Sequence, residues 1–131
     1  TCIWRDYYEN RTDKFRPLGE WALKLINKII ENEDYILSSD IVIEELKISY
    51  NEKEINNILE IINRKGLLLK VIISESQAKE ASIICKNKNV SFGDAVHIIL
   101  ARDNNALMVT RDKHFLELED ITEVKTPEEL I

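Results

Sequence analysis

Cysteine is scarce and badly placed for chemistry. Cys2 and Cys85 stand alone in a chain of 131 residues, with no Cys-x-x-Cys and no Cys/His spacing of a zinc site. Two reduced thiols are the expectation, as in a cytoplasmic protein. Three glycines and two prolines, against plentiful aliphatic residues and well-spread charge, indicate a globular domain rather than a low-complexity chain. No apolar run approaches the ~20 residues that cross a bilayer, so no membrane partner is expected. The first residues hold no apolar leader core. A P-loop, a dinucleotide fingerprint and a Ser–His–Asp arrangement are all missing.

What is present is an uneven acidity. The net charge is −6, and residues 115–131 hold six acids against one lysine, a net of −5, which leaves −1 for the first 114. Such a balance argues against tight nonspecific binding of duplex nucleic acid, yet leaves room for an enzyme that works through a few local cations and a metal. The length suits one domain over residues 1–131 with a real core. The chain opens Thr-Cys-Ile-Trp without a methionine, and the expectation is that it starts inside a longer gene product.

Helices and short strands alternate. A short helix is expected from Trp4 to about Asn10. Pro17 suits a first helical position, and Leu18, Trp21, Ala22, Leu25, Ile26 and Ile29 carry an amphipathic stripe to about Asn32. Tyr35–Leu37 reads as a strand running into a helix over Ile41 to about Tyr50. Asn51 with Glu54 opens a helix that Gly66 stops. Leu67–Ile73 is nearly all apolar, the sign of a strand covered on both faces. Ser74 with Gln77 caps a helix with Ala78, Ala81 and Cys85 inward. Ser91 caps the next, Phe92 to about Asn104, and a strand follows over Ala106–Thr110. An acidic helical turn, a strand near Glu123–Lys125 and the capped turn Thr126-Pro127-Glu128-Glu129 close the chain.

This alternation implies a parallel sheet with helices on both faces. Ligands in such sheets sit beyond the carboxyl ends of the strands. Asp40–Glu45 and Arg111–Lys113 fall there directly. The helix from Phe92 climbs roughly 20 Å at ~1.5 Å per residue, and the strand to Thr110 returns about 17 Å at ~3.3 Å per residue. Asp94 and Asp112 therefore meet at one end of the fold.

Each acid has an ordinary reading as well. Ser91-x-x-Asp94 resembles a capping box, with an acid favoured in the first helical turn. Asp112 after a strand suits a turn or cap. Glu45 lies among Ile41, Val42, Ile48 and Ser49, and a carboxylate on an apolar stripe needs a partner or a cation; Glu44, near Asp40 and Lys47, is in a more polar setting. An oxygen-rich set without cysteine suits Mg²⁺ or Mn²⁺. Like charges so grouped repel unless a cation joins them. His97 is either a ligand or a core residue beside the acids, and His114 a solvated or capping residue. Trp4, Tyr7 and Tyr8 suit base stacking or core packing equally. Arg111 and Lys113 are the candidate contacts to a polyanionic substrate.

These residues carry a family resemblance. The chain resembles a PIN domain, in particular the VapC-like toxins of prokaryotic toxin–antitoxin pairs. Ser39-Asp40-Ile41-Val42-Ile43-Glu44-Glu45-Leu46 is similar to the second family motif, Asp94-Ala95-Val96-His97 to the third, and Val109-Thr110-Arg111-Asp112-Lys113-His114-Phe115 to the fourth. The closing Thr126-Pro127-Glu128-Glu129-Leu130 is also a frequent ending. The resemblance implies a three-layer α/β/α fold with a mostly parallel central sheet. It implies a metal-dependent endoribonuclease cutting single-stranded or loop RNA, with Glu45, Asp94 and Asp112 holding Mg²⁺ or Mn²⁺ and Thr110 helping through its hydroxyl. An antitoxin partner and a homodimer come with it. The family's first acid ends an opening strand that is absent here, and Asp6 falls too late to replace it. The expectation is an upstream apolar strand ending in Asp. Two other readings stand beside this one. A PIN-fold module could bind nucleic acid without cutting it. A phosphoacceptor receiver domain also groups acids, but its acidic pair after the first strand and its late lysine are not visible.

Overall fold

The computed structural model describes residues 1–131. Helices α1 (Cys2–Glu9) and α2 (Leu18–Glu31) form an opening hairpin. A Cβ on Gly19 would lie 2.5 Å from the Asn10 Cα, so glycine is what lets α2 start against the end of α1. Strand β1 (Ile36–Ser39) runs straight into α3 (Asp40–Lys47). Helix α4 (Glu52–Asn63) opens on the capping box of Asn51 and Glu54, and the chain leaves it through Gly66 at φ +70°. Strand β2 (Leu68–Val71) leads to α5 (Glu75–Lys88), capped by Ser74 and Gln77. Helix α6 (Phe92–Asp103) and strand β3 (Met108–Val109) follow. A 3₁₀ helix (Lys113–Leu118), strand β4 (Val124–Lys125) and a 3₁₀ turn (Pro127–Glu129) under Thr126 complete the chain.

All strand pairing is parallel, β1 with β2 and β3 with β4. Two apolar clusters flank the strands. One gathers Ala95, Val96, Ile98 and Ile99 of α6 with Ala81, Phe115 and Leu118; the other gathers Trp4, Ile26, Leu46, Ile58 and Ile62 from the first four helices. Leu68 packs on the second cluster and Val71 of the same strand on the first. Helices therefore cover both faces, and the fold is the three-layer α/β/α type with short parallel strands.

Three local expectations change. Leu69 and Lys70 are exposed and Ile72 is 87% exposed, so the Leu67–Ile73 run is not covered on both faces. β2 is the outer strand of its pair, and its apolar sequence overstated its burial. The expected strand over Ala106–Thr110 pairs only through Met108 and Val109. Trp4 is buried in the core and offers no stacking face, whereas Tyr8 is partly exposed and meets Tyr50 edge-on at 5.5 Å between centroids.

The two strand pairs do not join. Between them lies a groove of about 720 Å³ lined mainly by apolar side chains, with Leu37 and Ser39 on one bank and Met108 and Val109 on the other. The Ile36 N–H bonds to the Leu67 carbonyl, and the Met108 and Thr110 N–H groups bond to the Glu123 and Lys125 carbonyls. Strand alternation therefore turns the backbone polar groups of Leu37, Ser39 and Val109 toward the groove.

Candidate active site

The turn Thr110-Arg111-Asp112 leaves β3 at the end where β1 enters α3. The Thr110 hydroxyl, nearly buried, accepts the Asp112 N–H at 3.1 Å and so sets the bend of this turn. That use of its oxygen is local and concerns the chain itself. Asp112 then caps the 3₁₀ helix: its Oδ1 accepts the His114 N–H at 2.9 Å and lies 3.1 Å from the His114 Nδ1.

Asp94 arrives from the first turn of α6. The Ser91 hydroxyl accepts the Asp94 N–H at 3.1 Å, but the return bond of a capping box to the Ser91 N–H does not form. The carboxylate is thus not fully occupied by capping. Ligand atoms of Asp94, Asp112 and His114 all lie within 4.8 Å of one another. Burial, and then the Asp112 charge, push the Asp94 carboxyl above its usual range; the Ser91 hydroxyl and His97 oppose this, and the Glu45 charge adds to it.

Glu45 stands beside this group, engaged elsewhere. Its Oε1 accepts the Thr1 hydroxyl at 2.9 Å and lies 2.5 Å from the His97 Nε2. Burial alone would raise its pKa, but the His97 hydrogen bond and charge, with the Thr1 hydroxyl, hold it below the usual carboxylate range. Glu44 is exposed and pairs with Lys47 at 3.2 Å. Of the stripe around Glu45, Val42 is buried, whereas Ile48 is 84% exposed because the helix ends at Lys47. His97 is the residue that makes Glu45 part of the site region, one turn along α6 from Asp94.

The structure moves Arg111 away from a substrate contact. Its guanidinium is 13% exposed, with Nε 3.1 Å from the Asp6 Oδ2 and Nη1 2.7 Å from the Glu128 Oε2. It also lies over the Trp21 ring at 5.5 Å. Two buried or half-buried carboxylates and an aromatic face hold the guanidinium inside the fold, so it is not a free surface cation. Lys113 is exposed beside Asp112 and without an acidic partner. Asp6, on the buried side of α1, belongs to Arg111 and not to the acid group.

One residue was under-read from sequence. His114 stands with Asp94 and Asp112, and the spacing Asp-x-His across a strand exit was the available signal. The donor chemistry fits a hard divalent cation: carboxylate oxygens with an imidazole at the margin, like charges close together, and one carboxyl already disfavoured as an anion. No helix is long and apolar enough to cross a membrane. A family model described as PIN domain matches residues 7–121, a span that holds Glu45, Asp94 and Asp112. No curated protein matches the chain.

Proposed function

The chain belongs to the PIN domain family, and from that premise we propose that it is a metal-dependent endoribonuclease, the toxin of a toxin–antitoxin pair. PIN domains are generally nucleases, and membership points to a nuclease-type hydrolase. The observation that carries this reading is the approach of Asp94 and Asp112, with ligand atoms of these two and His114 within 4.8 Å of one another. Asp94, Asp112 and Glu45 would hold Mg²⁺ or Mn²⁺, and His114 would stand at the rim. Bound there, the cation would activate water and steady the leaving oxygen of a phosphodiester. His97 holds the Glu45 carboxylate ionised, Thr110 fixes the bend that presents Asp112, and exposed Lys113 is the substrate-facing cation of this turn. The substrate is single-stranded or loop RNA, the protein works as a homodimer in the cytoplasm, and an antitoxin segment blocks the site.

The apolar groove supports a further strand between β1 and β3. A parallel strand there would pair the inward backbone groups of Leu37, Ser39 and Val109 and carry an acid at its carboxyl end, beside Glu45. In protein expressed from the complete gene the Leu37 and Val109 amides should then be protected from hydrogen exchange. Free exchange at both would remove the strand from this account.

The activity test is cleavage of a structured RNA with Mg²⁺ or Mn²⁺ by the wild-type protein and by Asp94→Asn. Cleavage by the wild type, lost in the variant and in chelator, is the expected result. Equal activity in both would sink the site assignment. An inert wild type that still binds RNA would favour the non-catalytic PIN module.

A further inference from the structure

The structure assigns Arg111 a positioning role: with Asp6 and Glu128 it locks the turn that carries Asp112, so the closing segment of the chain helps shape the acid site. This rests on the reading of Asp112 as a metal-holding residue.

The turn is gripped at two levels. Its backbone is fixed from α1, where the Arg111 N–H lies 3.4 Å from the Cys2 Sγ and the same sulfur lies 3.4 Å from the Thr110 hydroxyl. The Arg111 side chain then reaches away from Asp112 to two anchors distant in sequence. The Asp6 Oδ2 accepts from Nε at 3.1 Å, and both Glu128 oxygens accept from Nη1, at 2.9 and 2.7 Å. Glu128 is itself set in the 3₁₀ turn that Thr126 and Glu129 cap. One end of the clamp is thus the opening helix and the other the last turn of the chain.

The chemistry favours placement over adhesion. Asp6 is 4% exposed, and taking these charges out of water offsets most of what their attraction returns, so apolar packing would serve stability as well. The cluster is also incompletely satisfied, because the buried Arg111 Nη2 finds no acceptor. What an arginine gives that an apolar residue cannot is a planar fork that fixes direction. Arg111 shares its peptide bonds with Thr110 and Asp112, so fixing its direction fixes theirs. Residues that orient metal-holding side chains typically change affinity by ~10–100-fold when altered.

The test uses the wild-type protein, Mn²⁺ alone as probe, and three variants. Glu128→Gln removes one charge from a partly exposed position and should fold. Arg111→Lys keeps the charge and loses the fork. Asp112→Asn reports on the underlying reading. Mn²⁺ affinity is measured by calorimetry well below each melting temperature, with amide exchange of His114, whose N–H Asp112 holds, read in the metal-free protein. The expected result is Mn²⁺ binding about 10-fold weaker in Glu128→Gln and weaker still in Arg111→Lys, with faster His114 exchange in both. Lowered melting temperatures with Mn²⁺ affinity and His114 exchange unchanged would make the cluster structural only and overturn the role. Unchanged Mn²⁺ binding in Asp112→Asn would overturn the reading itself and the positioning role with it.

Discussion

Two groups of acids flank the same three-residue turn, and they are treated in opposite ways. On one side Asp6 and Glu128 share the Arg111 guanidinium, which makes three hydrogen bonds to them over the Trp21 ring. On the other side Asp94 and Asp112 approach each other beside the exposed His114, and neither forms an ion pair with a lysine or arginine. The first group has its countercharge within the chain, although the Arg111 Nη2 is left without an acceptor. The second is left with its repulsion standing, which shows in the Asp94 carboxyl being pushed up by burial and by Asp112. The matched group ties distant segments together, while the unmatched one is where the proposed function puts the cation.

The largest expected effect lies on the unmatched side. Asp112→Asn should lower RNA cleavage by at least about 100-fold, since it removes a charge the cation needs. Circular dichroism should show the same fold, and cleavage within a few-fold of wild type would erase the distinction between the two groups. On the matched side the large effect should be on stability. Arg111→Ala strands Asp6 as a buried, unpaired carboxylate and should cost about 3 kcal/mol in urea unfolding. A loss under about 1 kcal/mol would mean that water reaches Asp6 and that the group is not closed.

A smaller effect should appear in the pH dependence of the metal-free protein. The folded-state pKa of Asp94 is raised, so between its ordinary value and its raised one the folded form binds more protons than the unfolded form. Stability from this group is therefore full at low pH and falls as pH rises through that window. Asp94→Asn, or added Mn²⁺, should flatten that fall in the urea midpoint. An unchanged slope in Asp94→Asn would place the titration elsewhere. The smallest contrast is between neighbours on α3. Glu45→Gln should weaken cleavage, whereas Glu44→Gln, which loses only an exposed pair with Lys47, should leave activity within about twofold and stability within about 0.5 kcal/mol.

The sequence exposes what short-range chemistry decides. The Asn51/Glu54 and Ser74/Gln77 caps form as their three-residue spacing requires. The meeting of Asp94 with Asp112 follows from a helix and a returning segment, although only Met108 and Val109 of that segment form strand. The choice of Glu45 over Glu44 agrees with its burial and its His97 partner, although the stripe used to argue it includes an exposed Ile48. What stayed hidden depends on long-range pairing. Arg111 reads as a free cation in a basic run, because nothing local reveals Asp6, 105 residues away, or Glu128 across β4. The exposure of Leu69 and Ile72 was hidden for a related reason: an apolar run records what a strand can bury, and neighbours decide what it does bury. The split of the strands into two pairs around a groove is likewise a property of the assembled layers.

The claim that the Asp94–Asp112 group is unmatched because it takes a cation is tested most directly by calorimetric titration of Mn²⁺ into the wild-type protein and into Asp94→Asn. The account predicts saturable binding in the wild type that Asp94→Asn abolishes or weakens at least about 10-fold. Mn²⁺ bound equally well by both proteins would contradict it.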